Sequence, residues 1–474
     1  MARLDSALFS VAFFLLAISH PSAPAQKLPS SAQATSLIIR NARIMTMAPD
    51  QRSPISGYLS VAPDGTILTV APGDPPATLH ATQTVDAHGD FIIPGFISAH
   101  SHLWQAAYRG LAANKPLNGW IDDLYGQRAA KASPEDLYWF CLLGSLDHLQ
   151  HGVTTAYNFT YGGRAPTAAL NNQFEEAQFR AAEVSGIRFV HSYSPDKLSQ
   201  TLTIDQARAR LKDFLDWTAA RPPNPHFLSV MIGGMTAFNN TYQQTAFEAA
   251  AMHEFHLGNQ THYVESAEDE GEQRSKFRWM IDGGLLSNHL IFGHFIHTDD
   301  FILQQTAAAG ASMAWNPLSN GRLASGTADI PKYLKVGIRV GMGVDGEASA
   351  DLPDPFENMR TGIYAIRDKY ESATIMSPYQ VLWLHTMGSA DVLNVKDRLG
   401  SLEPGKFADF LLINPARLGA ILEDPYANLV FAASEHDIDS IYVGGVLTVD
   451  HDTVLRNDLP KVQAEAARRV LAHP

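Results

Sequence analysis

The chain has 474 residues, of which 45% are hydrophobic and 18% are charged, so it contains enough apolar material for a large core. Its formal net charge is −14 at pH 7 and it lacks a long basic run, which disfavours nucleic acid and anionic lipid as partners. The single cysteine, Cys141, excludes an internal disulfide.

The N-terminal segment has the pattern of a secretory signal. Arg3 precedes an apolar run from Ala7 to Ile18, and small residues follow that run. The run is short for a membrane span, so we predict a cleaved signal at residues 1–25; a retained anchor is the alternative, because Asp5 offsets the charge of Arg3. We therefore expect an exported protein, periplasmic or secreted, without a membrane association after cleavage.

Short β-type runs lie on both sides of the main body of the chain. Residues 26–35 predict a disordered linker, being rich in Pro, Ser and Ala. Residues 36–90 contain strand-like runs broken by the turn former Pro63-Asp64-Gly65. Similar strand-like runs occur again in residues 394–455. We expect these two segments to pair into one small β-domain, and residues 456–474 to form a C-terminal helix or tail.

Residues 91–393 alternate strand-like apolar runs with helical patterns. Eight such units predict a parallel (β/α)₈ barrel, whose active site lies at the C-terminal ends of the strands. A doubly wound open sheet is the alternative, but no glycine-rich phosphate loop follows the first run. The strand-like runs are FIIPGFISAHSH, GVTTAYNF, IRFVHSYS, FLSVMIGG, NQTHYVES, HLIFGHFIH, ASMAWNPLS and RVGMGVD.

Candidate metal ligands lie at the ends of several of these runs. His100 and His102 are two residues apart on the first strand and therefore share a face. Such a pair alone also fits a structural role. His262 ends the fifth run and Asp345 ends the eighth. The simplest assignment is one divalent ion, Zn²⁺ or Fe²⁺, bound by these four side chains.

Proton transfer has three candidates at the same strand ends. A bound metal ion lowers the pKa of water from about 15.7 toward 7 and so provides hydroxide. Glu265, three residues beyond His262, could carry a proton to the leaving nitrogen. His294, at the end of the sixth run, could bind the hydroxide or polarise the substrate, and Asp345 could accept the proton of the water. Each alone also has a structural interpretation.

With these residues in order, the chain resembles the amidohydrolase superfamily, within it the chlorohydrolase, cytosine deaminase and S-adenosylhomocysteine deaminase group. The resemblance implies a distorted (β/α)₈ barrel with a β-sandwich built from both ends of the chain. It also implies the metal and catalytic roles given above. It rests on the motifs PGFISAHSHLWQ, RGLAANKPLNGW, GVTT, THYVES, GHFIH, NPLSNGRLASG, GVDG and RLGSLEPGKFADFLLIN.

The substrate pocket departs from the nucleoside deaminases of this group. They usually carry Pro-His-Ser after the fourth strand, where this chain has Gly233-Gly234-Met235-Thr236, and His-Cys-Pro at the seventh, where it has Trp315-Asn316-Pro317. The acidic pair after Arg-Gly-Leu-Ala is replaced by Asn114-Lys115. By position, the candidate substrate contacts are Trp104, Gln105, Arg109, Met235 and Trp315.

The sequence therefore predicts a metal-dependent hydrolase that acts on a carbon–nitrogen bond of a small molecule, in the first instance by deaminating a small heterocycle. Hydrolysis of an amide, carbamate or lactam by the same residues is the close alternative. A binding protein that keeps the barrel without catalysis is the alternative from another class. A homo-oligomer is compatible with the apolar helix faces, but nothing specifies one.

Overall fold

The computed structural model describes residues 34–162, 172–195, 202–239, 241–419 and 424–473. The predicted signal at residues 1–25 and nearly all of the linker lie outside these ranges. Within them, no helix combines the length and the apolar character needed to span a bilayer.

The described strands form two sheets. They are β1 (Thr35–Ile44), β2 (Ile55–Val61), β3 (Ile67–Pro72), β4 (Ala81–Asp86), β5 (Phe91–Pro94), β6 (Phe96–His102), β7 (Val153–Asn158), β8 (Arg188–Tyr193), β9 (Phe227–Gly234), β10 (Gly258–Tyr263), β11 (Leu290–His294), β12 (Ser312–Trp315), β13 (Arg339–Met342), β14 (Asp345–Gly346), β15 (Phe410–Ile413), β16 (Ile438–Val443), β17 (Val446–Asp450) and β18 (Thr453–Val454).

Helices separate most of the barrel strands. Several begin at a capping box, as at Ser133 before the second and Thr203 before the fourth. They are α1 (Leu117–Ile121), α2 (Pro134–Gln150), α3 (Gln173–Ser185), α4 (Ile204–Ala219), α5 (Tyr242–Phe255), α6 (Glu270–Asp282), α7 (Asp300–Ala309), α8 (Pro317–Arg322), α9 (Ile330–Lys335), α10 (Pro355–Tyr370), α11 (Pro378–Trp383), α12 (Ser389–Val392), α13 (Pro425–Ala432) and α14 (Leu459–Ala472).

The first sheet is a closed parallel barrel. Strands β6 to β13 pair in sequence order, and β14 pairs with β6. Because β13 and β14 belong to one continuous run, residues 339–346, the pairing of β13 with β12 and of β14 with β6 closes the circle. This confirms the predicted (β/α)₈ barrel, and it places the C-terminal ends of all its strands on one rim.

The second sheet contains strands from both ends of the chain. Its order is β18-β17-β16-β15-β5-β1-β2-β3, and β4 pairs with β1. Leu37, Ile39, Val61, Phe410 and Tyr442 are among the residues that form its own hydrophobic core. The predicted pairing of the two terminal segments into a β-structure is therefore present.

The sequence run FIIPGFISAHSH, predicted as one barrel strand, is divided between the two sheets. β5 pairs with β1 and β15 in the terminal sheet, whereas β6 begins the barrel. Gly95 lies at the division, and a Cβ there would be 2.2 Å from Oγ1 of Thr154. Residues 91–94, which the sequence assigned to the barrel segment, thus belong by pairing to the terminal sheet.

A buried ion pair joins the base of the barrel to the terminal sheet. Arg188 of β8 is 1% exposed, and its Nε and Nη2 donate to the two carboxylate oxygens of Asp409 at 2.7 and 2.9 Å. The guanidinium also lies over the ring of Phe407, 3.9 Å from its centroid. This bidentate contact satisfies both charges away from water.

Replacing Arg188 should destabilise the fold strongly. We expect Arg188→Met to lower the free energy of unfolding by about 3–5 kcal/mol, because Asp409 then remains buried without its partner. Urea denaturation of both proteins measures the difference. The control is Arg180→Met, which removes a surface pair with Glu176 and should change stability by less than about 1 kcal/mol. Equal effects of the two substitutions would contradict this interpretation.

Candidate active site

Strand geometry brings the four predicted metal ligands together on the rim of the barrel. Nε2 of His100 lies 3.3 Å from Oδ1 of Asp345, and Nε2 of His102 lies 3.5 Å from the same oxygen. His262 reaches the group from β10, with its Nε2 3.1 Å from Nε2 of His102. All these side chains are nearly or wholly inaccessible except His262, which is partly exposed.

The donor set fits a divalent cation. The amide of Gln260 donates to the carbonyl of Ala99 at 2.8 Å, so its Oε1 faces Nδ1 of His100 and accepts the ring proton. The lone pair of His100 then lies on Nε2, which points at a carboxylate oxygen and has no hydrogen-bond partner among the described residues. Two acceptors facing each other 3.3 Å apart fit a divalent cation bound between them.

The electrostatics keep the imidazoles of His102 and His262 neutral, as metal binding requires. Burial, reinforced by the neighbouring His100, lowers the pKa of His102 to about 3. Burial and the other histidines also hold the pKa of His262 well below its usual range. Two triads have ligand atoms within 4.8 Å of one another: His100, His262 and His294, and His100, His102 and Asp345.

His294 is better suited to act on the substrate than to bind the ion. Nδ2 of Asn320 lies 2.7 Å from Nδ1 of His294, and Nδ2 of Asn316 lies 3.4 Å from Nε2. Because the Asn320 contact is the shorter, Asn320 donates to Nδ1 and the ring proton is on Nε2. That nitrogen lies 3.5 Å from Oε2 of Glu265 and 3.9 Å from Oδ2 of Asp345. Burial lowers the pKa of His294 to about 3, which leaves a neutral hydrogen-bond donor.

Glu265 lies over the same centre. It is 4% exposed, and burial together with the Asp345 carboxylate raises its pKa well above the usual range. A carboxyl group in this state can both hold and release a proton near neutral pH. The sequence prediction that Glu265 and His294 accompany the metal ligands agrees with this placement.

Left-handed backbone conformations at the strand ends set the directions of these side chains. Gly293 contacts His100 inside the barrel, so simple alternation would direct His294 outward. The φ angles of His294 and Phe295 are 65° and 49°, and that of Asp345 is 60°. These conformations are costly for residues with a Cβ and are common where function requires them.

Sequence reasoning missed several residues that support the site. Gln260 orients His100, Asn320 orients His294, and Oγ of Ser349 donates to Oδ2 of Asp345 at 3.0 Å. Phe159 packs against the rings of His100, His102 and His262. Only Gln260 had a usable signal, since it lies two residues before His262 and so shares its face of β10.

We predict that Gln260 contributes to metal affinity. Gln260→Leu removes the acceptor that fixes the His100 tautomer, and should weaken affinity for a divalent ion by about 10- to 100-fold. Competition with a chromogenic chelator measures this. Gln260→Glu retains an acceptor next to Nδ1 and should stay within a few-fold of the wild type. If the leucine variant bound the ion as tightly as the wild type, His100 would not depend on this contact.

Four of the predicted substrate contacts fall into two groups: Trp104 and Gln105 directly follow the metal ligands, whereas Met235 and Arg109 are each held by carboxylate side chains. Trp104 and Gln105 follow directly after the ligands on a 3₁₀ turn, Leu103–Tyr108, and both are fully buried next to the centre. Met235 is half-buried at the end of β9, where its amide donates to Oε1 of Glu248 at 2.8 Å. Arg109 is engaged by Asp147 and Glu347.

Trp315 is not brought to the site. Its neighbour Ala314 belongs to the cluster that fills the barrel interior, so the indole lies on the outer face of β12. There it packs against Gly362 of α10, where a Cβ would be only 2.6 Å from its Cη2. Stacking of Trp315 on a substrate ring, which its position at a strand end suggested, does not fit this placement.

Comparison with known sequences identifies related proteins. The sequence model described as "Amidohydrolase family" matches residues 91–448. A 5-methylthioadenosine/S-adenosylhomocysteine deaminase of Desulforudis audaxviator is 30% identical over 452 residues, covering 92% of this chain and 99% of the relative. A protein with the same name from Pelotomaculum thermopropionicum is 26% identical over 442 residues and is covered to 98%.

Solved structures with the same fold include two zinc complexes. An adenosine deaminase from Xanthomonas campestris with bound zinc has a TM-score of 0.81 at 20% identity, with 92% of this chain and 98% of that chain covered. A mutant atrazine chlorohydrolase from Arthrobacter aurescens, complexed with zinc and atraton, has a TM-score of 0.79 at 21% identity, with coverage of 92% and 100%. At these identities the likeness concerns the fold.

Proposed function

The chain belongs to the amidohydrolase family, and on that premise we propose that it is a zinc enzyme that removes the amino group of a small heterocycle by hydrolysis. As a member of the family it is a hydrolase that acts on carbon–nitrogen bonds other than peptide bonds. The observation that carries the proposal is the buried, protonatable Glu265, which lies beside both the metal ligands and the hydrogen-bond donor His294.

The residues of the chain divide the reaction between them. His100, His102, His262 and Asp345 would hold the ion, and an ion bound there acts as a Lewis acid that makes water acidic enough to provide hydroxide near neutral pH. Asp345 accepts a proton from the attacking water. Nε2 of His294 donates a hydrogen bond where negative charge develops on the oxygen.

Glu265 transfers protons to the ring nitrogen and to the leaving nitrogen in turn. It first protonates the ring nitrogen next to the carbon under attack, which lets that carbon become tetrahedral. The Glu265 carboxylate left behind takes the proton of the new hydroxyl group on the tetrahedral carbon and transfers it to the exocyclic nitrogen, so the carbon–nitrogen bond breaks and ammonia leaves. Return of the proton held by Asp345 then restores the Glu265 carboxyl group. The products are ammonia and the ring carbonyl compound, and the elements of one water molecule are consumed.

The relatives suggest a class of substrate but not one compound. Relatives named for deamination of 5-methylthioadenosine, S-adenosylhomocysteine and adenosine all act on an aminated purine ring. This chain has Gly233-Gly234-Met235-Thr236 after β9 and Asn114-Lys115 in place of an acidic pair. We therefore propose an aminated purine, pyrimidine or triazine ring, without assigning a sugar-binding role to the pocket.

A substrate panel tests this proposal. Zinc-loaded protein should release ammonia from at least one aminated ring, and a sample stripped with a chelator should not. Amides, carbamates and lactams form the second panel, with release of amine or acid as the readout. Turnover confined to the second panel would replace deamination by amide hydrolysis, and turnover of neither would favour a binding protein.

Export is a separate proposal. The apolar run Ala7–Ile18 supports cleavage of residues 1–25 and release from the cytoplasm. Expression of the full chain followed by N-terminal sequencing of the mature protein tests it. We expect the mature sequence to begin near Gln26, and a cytoplasmic product that retains Met1 would contradict export.

A further inference from the structure

The segment between the first 3₁₀ turn and α2, residues 109–131, crosses the rim of the barrel next to the metal ligands. Nε1 of Trp120 donates to the carbonyl of Ala348, 2.8 Å away on the loop after β14. The backbone N–H of Asn118 donates to Oε2 of Glu268, 3.3 Å away on the loop after β10. The first loop directly follows Asp345 and the second carries Glu265, so the segment is attached beside the reacting centre on both sides.

This segment places the phenol of Tyr125 at the centre. Nε2 of Gln105 donates to the Tyr125 hydroxyl at 3.2 Å. Oε1 of the same Gln105 side chain packs against Gly346. A Cβ added to Gly346 would be only 1.9 Å from this oxygen. Only the side chain of Gln105 therefore separates Tyr125 from the residue that follows Asp345. Glycine at 346 permits this close approach.

The Tyr125 hydroxyl is a donor with its proton available for a ligand. Its oxygen accepts from Gln105, so its own proton is not used in that contact. Burial, followed by the charges of Asp345 and Glu265, raises the pKa of Tyr125 and keeps it protonated. It is partly exposed, whereas most of the metal ligands are closed off from solvent.

An aromatic wall holds this phenol in place. Trp104 is fully buried, stacks on Tyr161 with ring centroids 5.2 Å apart, and meets the Tyr125 ring edge-on at 5.4 Å. Trp120 contacts Tyr125 at 6.0 Å. Packed rings of this kind restrict the phenol to one orientation.

We propose that Tyr125 is a substrate-binding residue whose hydroxyl donates a hydrogen bond to an acceptor on the substrate ring, and that it thereby selects which heterocycles enter the site. The inference rests on the proposed function for the identity of the ligand, a planar nitrogen heterocycle. A site built to donate to a ring nitrogen discriminates against rings that lack this atom, because its own donor is then left unpaired.

Binding of purine and of its single-deaza analogues to zinc-loaded protein tests the proposal, with quenching of tryptophan fluorescence as the readout. We expect Tyr125→Phe to weaken purine binding by about five- to ten-fold, the effect of losing one neutral hydrogen bond. For the one analogue that lacks the acceptor, the variant should bind at least as tightly as the wild type, because only the wild type then leaves a hydroxyl unpaired. Tyr108→Phe, which removes the hydroxyl of another tyrosine that contacts Trp104, is the matched control and should not change binding.

Several results would overturn the inference: unchanged purine affinity in Tyr125→Phe, an equal loss in Tyr108→Phe, a loss that is the same for every analogue, or a wild type that binds none of the rings. Zinc content and melting temperature should match the wild type in both variants. Ammonia release, measured in parallel, separates this inference from the proposed function. Deamination without dependence on Tyr125 contradicts only the inference, and Tyr125-dependent binding without ammonia contradicts only the proposed function.

Discussion

Glu265→Gln should reduce ammonia release by about 100- to 10,000-fold while leaving the metal in place, the range expected for loss of a general acid and base. The amide has the shape of the carboxyl group but cannot transfer the proton that the ring nitrogen and the leaving amine need. Because Glu265 contacts His294 and is not placed among the ligands, one equivalent of metal should remain bound. Steady-state rates and metal content of the same preparation measure both effects.

Glu270→Gln provides the control for this substitution. Glu270 begins α6 a few residues further along the chain, is 37% exposed and pairs with His297 at 3.3 Å. Its replacement should leave turnover within about two-fold, as for most surface changes. A Glu265 variant that kept more than a tenth of the wild-type rate would assign proton transfer to another group.

Asp345→Asn should abolish both functions of the site at once. Asparagine is nearly isosteric, but it removes the only carboxylate among the four ligands and the acceptor for the proton of the water. We expect metal affinity to fall, and turnover to drop by at least about 1,000-fold even at saturating metal. Chelator competition and ammonia release separate the two losses.

The contrast with Glu265→Gln identifies the role of each carboxylate. The Glu265 variant should be inactive with metal bound, whereas the Asp345 variant should be inactive with metal weakly bound. Asp351→Asn, on the same loop and paired with Arg322 at 2.9 Å, should affect neither measurement. If the Asp345 variant retained wild-type metal affinity, the proposed ligand set would be wrong.

The sequence was sufficient to predict that the candidate metal ligands lie together, because their spacing and the order of the strands determine where they fall in the barrel. Two histidines separated by one residue must share a face of a strand, and parallel strands of a barrel bring His100, His262 and Asp345 to one rim. Even Gln260 could have been found by the same alternation. These positions needed no information about long-range packing beyond the barrel itself.

The positions of the candidate substrate-binding residues could not be predicted in the same way. The run SMAW on β12 has an apolar residue on each face and is buried throughout, so its composition does not indicate that Ala314 faces inward and Trp315 outward. Tyr125 lies on an irregular segment with a π-helical turn, Asp122–Arg128, whose course over the rim depends on contacts with Ala348 and Glu268. No local pattern encodes such contacts.

One divalent ion, held by these four side chains, should be required for deamination. The most direct measurement is zinc titration of chelator-stripped protein with ammonia release as the readout, on a substrate identified by the panel. Activity should rise linearly from near zero and reach a plateau at one equivalent of zinc per chain. Full activity in the stripped protein, or a plateau only at two equivalents, would contradict a requirement for one ion per chain.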